Sequence, residues 1–411
     1  MKILVINCGS SSIKYRVFQT AEPGGLQSLA GGAVNGLGRP DAVLEHQSRE
    51  RESRTALNRP DHRRALEAIM NVLTDHAHGG DLWDASEIGL VGHRAVHGGD
   101  RFAGAVFVDG DVIAGMQKCI PLAPVHNPAN LEGIRQAMNM LPRAGHVAVF
   151  DTAFHQTLPQ RAYMYGLPYD LYEKHGIRKY GFHGTSCGYV AVRAAEVAGR
   201  ELSRSKSVIF HLGNGVTVAA VKNGRSVDTS LGLTPLEGAM MGTRCGDLDP
   251  GVVLYLLREL NLSREQVERM LNHDSGILGV SGRGNDMRRI IGLAHQGDHR
   301  CKLALEMYVY RLKKYMGAYA AAMGGIDLVA FAGGVGENSP LIRKMILDGM
   351  GFLGIDLDLA RNEEAGAEDC ILGSDVSRVD VVLVHTKEEL MIAREALALA
   401  KRNPGRTGGD E

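Results

Sequence analysis

Ile3-Leu4-Val5-Ile6-Asn7-Cys8-Gly9-Ser10-Ser11-Ser12-Ile13-Lys14-Tyr15-Arg16-Val17-Phe18 is the stretch on which the fold turns. Its first four residues are an apolar run of buried-strand length. Asn7 to Ser12 reads as a glycine- and serine-rich turn, and Ile13 to Phe18 alternates as a second strand does. The same grammar returns in the second half of the chain. There Val208-Ile209-Phe210 leads into His211-Leu212-Gly213-Asn214-Gly215 and then Val216 to Val221. Two strand–turn–strand units, each opening one half, predict two related α/β domains. The length agrees, because 411 residues suit two domains of roughly 150–200 better than one.

A third strand, Leu328 to Ala332, runs into Gly333-Gly334-Val335-Gly336-Glu337-Asn338. Before it, Leu305, Val309, Leu312 and Met316 recur at helical spacing and predict a helix with one buried face. Gly36 to Arg64 is polar and rich in Arg and Asp, and is expected to form exposed hairpins or loops outside the core. Asn403 to Glu411 lacks apolar anchors and is expected to be disordered.

Composition excludes several classes. Lys plus Arg is 46 against 47 for Asp plus Glu, which gives no electrostatic reason to bind nucleic acid or an anionic membrane. The six cysteines, at 8, 119, 187, 245, 301 and 370, form no CxxC pair or Cys/His cluster, so neither a zinc site nor a disulfide framework is expected. No apolar run reaches signal-peptide or membrane-spanning length, and a soluble, cytoplasmic protein is expected.

Three segments have the make-up of phosphate cradles, where backbone N–H groups gather in a turn that no Cβ obstructs. They are Asn7–Ser12 with Lys14 behind it, His211–Gly215, and Gly333–Gly336 at the start of a predicted helix. No GxxxxGK[ST] occurs. Gly349-Met350-Gly351-Phe352-Leu353-Gly354 matches GxGxxG, but a helix-like run, Leu341 to Leu347, precedes it where a dinucleotide site needs a strand. Four further segments are dense in charge: Gly92-His93-Arg94-Ala95-Val96-His97-Gly98-Gly99, Phe150-Asp151 at the end of a strand from His146, Tyr180-Gly181-Phe182-His183-Gly184, and Gly242-Thr243-Arg244-Cys245-Gly246-Asp247. Arginine forks, histidine donors and a carboxylate for magnesium are what a phosphoryl group in transfer requires.

Taken together, NCGSSSIK, GHRAVHGG, PLAPVHNP, FDTAFHQTLP, YGFHGTS, HLGNG, TPLEGAMMGTRCGDLDP, GGVGENS and KEELMIARE resemble the acetate kinase family from Asn7 to Glu395. The resemblance implies α/β architecture, as two duplicated actin-like, ribonuclease-H-like domains with the active-site cleft between them. The domains would be 1–153 plus 388–402, and 154–387. It implies reversible transfer of the γ-phosphoryl of ATP to acetate, giving acetyl phosphate and ADP. Mg²⁺, or Mn²⁺ in its place, would be required, and the chain would form a homodimer. Within the site, the resemblance implies that Arg94 binds the substrate carboxylate and that His183 and Arg244 stabilise the moving phosphoryl. Asp151 would be the essential carboxylate, organising Mg²⁺ with Asn7 and Glu388. His126 would lie near the transferred group, with Val96, Val125, Phe182 and Pro235 around the methyl. Ser10, Ser12, Lys14 and His211, Leu212, Gly213, Asn214 and Gly215 would face phosphates. Asp286, Met287 and Arg288, with Gly334, Val335, Gly336, Glu337 and Asn338, would hold adenosine.

Four positions depart from the family pattern. Cys187 stands where His is usual, Val216-Thr217 where a small residue and Ser are commoner, Met287 where an aromatic is frequent, and Val125 where Leu is usual. The first three bear on nucleotide affinity and the last on substrate size. Two other readings fit less of this. One is a propionate or butyrate kinase on the same scaffold. The other is an actin-like ATP clamp that transfers no phosphate, for which a second anion-binding group has no use. The carboxylate acceptor, with a pKa of about 4, is already ionised at neutral pH and needs no general base, so Asp151 is expected to orient metal or water.

Overall fold

The computed structural model describes residues 1–21, 25–48, 52–75 and 80–406, and the chain divides into two compact units, Met1–Phe154 with Lys387–Glu411, and His155–Thr386.

The first unit is built on strands β1 (Lys2–Cys8), β2 (Ser12–Ala21), β3 (Gly25–Asn35), β4 (Ala42–Ser48), β5 (Glu52–Leu57), β6 (Ile88–Ala95), β7 (Val106–Phe107) and β8 (Gly145–Phe150), in the order β5-β4-β3-β2-β1-β6-β8-β7. β1 pairs antiparallel with β2 and parallel with β6, which pairs parallel with β8. The unbroken Ile3–Ile6 run follows from burial on both faces. Leu4 and Ile6 pack with Leu66, Ile69 and Leu73 of the helix His62–Leu73. Ile3 and Val5 pack with Leu90, Val147, Val149 and the apolar face of the helix Glu388–Arg402, namely Ile392, Ala393, Ala396, Leu397 and Ala400. That helix repeats its buried residues at spacings of three and four, which explains how the end of the chain becomes core of the unit that opens it.

The second unit repeats the plan with β9 (Lys206–Leu212), β10 (Val216–Lys222), β11 (Arg225–Thr229), β12 (Leu328–Ala332), β13 (Cys370–Ile371) and β14 (Asp380–Leu383), in the order β11-β10-β9-β12-β14-β13. The first strand of each unit, β1 or β9, has an antiparallel hairpin partner on one side and a parallel partner on the other. This is the duplicated α/β architecture expected from the two strand–turn–strand units. The helix His299–Met323 carries the predicted buried stripe of Leu305, Val309, Leu312 and Met316. No helix among the described residues is long and apolar enough to cross a membrane.

Several expectations need correction. Gly36–Arg64 does hold an antiparallel pair, β4 with β5, as the hairpin reading expects, but it is not all outside the core: β4 places Ala42, Leu44 and His46 in the interior, and the His62–Leu73 helix begins before the segment ends. Its polar residues hid an alternating strand, of which only every second residue is buried. The tail does not lose order at 403. Pro404–Arg406 forms a 3-10 turn with the Arg406 guanidinium 5.6 Å from the centre of the Phe107 ring, an anchor that a count of apolar residues overlooks. Residues 407–411 lie outside the described residues. Gly349–Gly354 follows the helix Pro340–Leu347 and contains one 3-10 turn, as its context predicted.

Candidate active site

In the first unit the charged residues gather at the ends of the parallel strands. Arg94 is the penultimate residue of β6, so the charge-dense segment Gly92–Gly99 is strand up to Ala95. Asp151 follows directly on β8. Arg94 donates from Nε to Asp151 Oδ1 at 3.0 Å and from Nη2 to Oδ2 at 2.7 Å, a two-pronged pairing of planar groups. Its Nη1 lies 3.8 Å from Glu388 Oε2, at the first turn of the C-terminal helix. Glu388 and Glu389 there sit at the positive end of the helix dipole. Burial alone would depress the guanidinium pKa, but the charges of Asp151, Glu388 and Glu389 raise it above its ordinary value.

Asparagines that the sequence reading passed over brace this site. Asn130 accepts from the Val96 N–H at 3.0 Å and donates to the Cys8 carbonyl at 2.7 Å, tying the ends of β6 and β1 together. Asn127 exchanges hydrogen bonds with the His97 backbone. Both lie on the helix Asn127–Met140, for which His126 is the N-cap residue. Asn127 lies in the PLAPVHNP stretch and Asn130 two residues beyond it, and a buried asparagine cannot be told from an exposed one by spacing. Val96 is buried, whereas Val125 is 54% exposed. The first turn is shorter than expected, because Asn7 and Cys8 belong to β1 and Ser12 to β2. Gly9 donates to the Ser12 carbonyl at 2.8 Å, and the His62 ring bonds the Gly9 carbonyl. Ser10 is exposed and Ser12 half-buried. Lys14 lines a cavity of about 710 Å³ with Arg16, Glu45, Arg54 and Glu389.

In the second unit His183 carries the helix Gly184–Val197 and adopts φ +54°, a left-handed conformation unusual for a side chain of this size. Its Nδ1 is 2.9 Å from Thr217 Oγ1, and its ring stacks on His211 with centroids 4.6 Å apart. His211 Nδ1 is held in turn by Ser186 Oγ at 2.8 Å. Behind them, His155 Nε2 donates to the Phe182 carbonyl at 3.1 Å while Nδ1 accepts from Ser226 Oγ at 2.8 Å. Burial pushes the His155 imidazole down to about 4, against the opposing effect of its bond to Phe182.

Arg244 lies in an irregular loop between β11 and the helix Pro250–Arg258. Its Nη1 donates to the Pro235 carbonyl at 3.3 Å and approaches Met241 Sδ at 3.9 Å. Among the described residues no carboxylate pairs with it, and burial lowers its pKa from the ordinary value. Gly215 has no Cβ where these donors converge. A Cβ there would stand 3.1 Å from His183 Cε1, 3.5 Å from its Nε2 and 3.8 Å from Arg244 Nη1.

The same short turn reaches a cavity of about 810 Å³, lined by Gly213, Asn214, Asp286, Met287, Arg288, Gly334, Val335 and Asn338 among others. Most of the expected adenosine residues are therefore brought together. Asn285, Ile291, Tyr308 and Leu341 line it as well, without having been singled out in the sequence. Asp286 also caps the helix Met287–His295, accepting from the Arg288 N–H at 2.9 Å.

Two expected adenosine residues, Gly336 and Glu337, do not line the cavity, and Leu212, expected to face phosphates, is not on its surface either. Leu212 is wholly buried at the end of β9, and Gly336 packs over it. The Glu337 carboxylate turns inward, where Oε1 accepts from the Gly333 N–H at 2.9 Å, the Thr386 N–H at 3.0 Å and the Thr386 hydroxyl at 2.9 Å. The glycines also divide their work. A Cβ on Gly333, at φ +77°, would meet the Leu212 backbone at 2.9 Å, whereas one on Gly334 would meet nothing within 4 Å. Gly334 keeps the cavity open, and Gly333 lets the helix start against β9. Among the departures, Met287 lines the cavity, Cys187 is buried in the helix that His183 starts, and Thr217 bonds His183.

The chain as a whole is similar to known proteins. Residues 2–394 match the family model described as the acetokinase family. The chain is 47% identical over 403 residues to the acetate kinase of Clostridium novyi, covering 98% of this chain and 99% of that protein. It is 49% identical over 405 residues to the acetate kinase of Thermotoga petrophila, with the same coverage. The crystal structure of Porphyromonas gingivalis acetate kinase superposes with a TM-score of 0.90 at 45% identity, covering 97% of this chain and 99% of that one. A propionate kinase structure from Francisella tularensis gives 0.89 at 38% identity with the same coverage. With its whole length matched in sequence and in fold, the chain belongs to the acetokinase family.

Proposed function

We propose that the chain transfers the γ-phosphoryl group of ATP to acetate, reversibly, giving acetyl phosphate and ADP by direct in-line displacement. An acetate oxygen forms the new bond to phosphorus as the bond to the ADP oxygen breaks. No proton has to move, because the acceptor is already a carboxylate. The observation that carries this reading is the Gly213–Gly215 turn. Its first two residues line the cavity that suits a nucleoside, and its last lies beneath His183 Nε2 and Arg244 Nη1. A nucleotide seated in that cavity would present its terminal phosphate to a cation and an imidazole donor.

In the other unit, Arg94 is the group that suits the acetate carboxylate. Asp151, whose two oxygens both accept from Arg94, orients that guanidinium rather than acting as a base. Mg²⁺, or Mn²⁺ in its place, would be held by the Asp151 and Glu388 carboxylates with Asn7. These hard oxygen donors suit an ion that keeps several waters and takes its remaining ligands from phosphate. The ion would offset charge on the transferring group. The relatives at 47% and 49% identity are acetate kinases, which supports acetate as the first acceptor. Propionate is the second acceptor, because the exposed Val125 leaves one wall low.

A cytoplasmic homodimer completes the reading. All six thiols are free, which suits a reducing compartment. The helix Pro250–Arg258 leaves Val252, Leu254 and Tyr255 exposed, a face that suits a second copy of the chain. Light scattering in solution measures that mass. For the activity, ADP release is measured with acetate, propionate and butyrate in parallel, and acetyl phosphate formation is measured with acetate when pyrophosphate replaces ATP. Acetate is expected to give the highest kcat/KM, propionate less and butyrate little. Turnover with pyrophosphate equal to that with ATP would sink the nucleotide assignment.

A further inference from the structure

We propose that Thr217 is a positioning residue that fixes the tautomer of His183, donating its hydroxyl hydrogen to Nδ1 so that the proton of the neutral imidazole stays on Nε2. The proposal rests on the phosphoryl-transfer reading above and adds a residue to it.

Thr217 is the one hydroxyl in β10, a strand otherwise of Val and Ala until Lys222, and it is wholly buried. Valine has the same shape as threonine and would cost nothing in such a strand. A buried hydroxyl is costly unless it is bonded. Here it lies 2.9 Å from His183 Nδ1. A neutral imidazole carries one N–H, and the partner at one nitrogen decides which nitrogen has it. With Nδ1 accepting from Thr217, Nε2 becomes the donor. Nε2 is the nitrogen that borders the space left by the missing Cβ of Gly215, beside Arg244 Nη1. A phosphoryl oxygen there needs a hydrogen-bond donor, and the other tautomer would meet it with a lone pair.

The backbone supports the same reading. His183 is held at φ +54°, a conformation that persists only where neighbours overdetermine it. His155 holds the preceding carbonyl of Phe182, and Thr217 holds the ring itself. Together these bonds fix both the place of the imidazole and its rotation. Serine would supply the same donor, so a Val-Thr pair in place of a small residue and Ser conserves the function while filling the strand better.

The test compares Thr217→Val, Thr217→Ser and Thr217→Ala in the full chain, with acetate and ATP. Thr217→Val is expected to lower kcat about 10- to 100-fold, the range for one lost bond to a catalytic donor, with KM for both substrates little changed. Thr217→Ser is expected to restore most of it. In a His183→Ala background, Thr217→Val is expected to change residual turnover by less than about twofold, since the two residues act as one unit. Nitrogen NMR of His183 reads the tautomer without turnover, and Thr217→Val is expected to shift it away from the Nε2–H form that wild type and Thr217→Ser show. If Thr217→Val does not fold, Thr217→Ala replaces it with the same expectation. Unchanged kcat, an equal loss without His183, or an unchanged tautomer each overturns the proposal. A wild-type chain that releases no ADP with acetate overturns the functional reading instead, and the NMR arm still decides the role of Thr217.

Discussion

The two units each hold one arginine of the proposed chemistry, and they hold it in opposite ways. Arg94 is gripped by both oxygens of Asp151 and faces Glu388 besides, so its charge is neutralised within its own unit. Arg244 is bonded to a carbonyl and touches a thioether, and among the described residues no carboxylate answers it. One arginine is therefore part of the framework as well as of the chemistry. The other is a cation with no carboxylate beside it among the described residues, which is what the proposed phosphoryl site calls for. In sequence both are glycine-flanked arginines, GHRAVHGG and GTRCG, and nothing local separates them. What separates them is the fold, which brings Asp151, just past the end of β8, to Arg94 and leaves Arg244 with one carbonyl and a thioether.

The largest expected effect comes from Arg94→Ala, which should fail twice. Turnover should fall at least a hundredfold, since one preorganised donor to a developing charge is worth roughly 3–4 kcal/mol. Stability should fall as well, because Asp151, 2% exposed, loses its partner. Breaking a buried pair from one side costs about 3–5 kcal/mol. Arg244→Ala should match the loss of turnover with no drop in melting temperature, as removing a desolvated cation relieves a cost. Adding Asp151→Ala to Arg94→Ala should recover part of the stability and none of the turnover. Calorimetry and initial rates on the same four proteins decide the matter. Equal destabilisation by Arg94→Ala and Arg244→Ala would erase the contrast.

Why the sequence could reveal one half of this and not the other is a matter of distance along the chain. The strand–turn–strand units are local, set by apolar runs and glycines within a few residues, and they were legible in both halves. So was the helix from His299, carried by its contiguous apolar stripe, whereas the gathering of Asp286–Arg288 with Gly334 and Val335 was implied only by the family resemblance. The partner of Arg94 lies 57 residues away, just past the end of another strand, and periodicity says nothing about which carboxylate meets which guanidinium. Glu337 misled for a related reason. It sits in a glycine-rich motif that faces the cavity, yet its own carboxylate turns back to Thr386, near the other end of the unit. Thr217 was visible only as a departure from the family pattern, and its reason appeared once His183 was beside it.

Acid sharpens the comparison on a smaller scale. Both units bury neutral histidines. In the first, burial holds His93 well below its ordinary value and lowers His146 too, the two rings bonded at 3.0 Å. In the second, His155 is pushed down to about 4. A depressed imidazole means that the unfolded chain binds a proton more readily than the folded one. Stability is therefore intact above about pH 6.5, the ordinary imidazole value, and is lost as pH falls towards the folded value. The slope is at most about 1.4 kcal/mol per pH unit for each imidazole. Urea unfolding between pH 7 and 5 should show that loss in wild type, and His155→Gln, which keeps a donor for Phe182, should flatten it by one group's share. An unchanged slope would mean that His155 is not among the groups that take up a proton on unfolding.

The smallest expected effect separates the apolar residues that the two units contribute. Phe182 is 2% exposed and Val96 7%, whereas Val125 is 54% exposed. Replacing Phe182 would open a cavity in packed structure and confound activity with stability. Val125 is the clean probe, because its side chain is half in solvent and a larger one has room. Leucine adds one methylene, worth about 0.8 kcal/mol when fully buried. With roughly half that burial available, Val125→Leu should shift the ratio of kcat/KM for acetate over propionate by about twofold in favour of acetate. Acetate turnover itself should barely change, since a shorter acid does not reach the added carbon. Side-by-side kinetics of the wild type and Val125→Leu with the two acids give the ratio directly. A tenfold change would mean that bound substrate encloses position 125 far more than its exposure indicates. No change at all would remove Val125 from the acceptor site and leave substrate size to the buried residues.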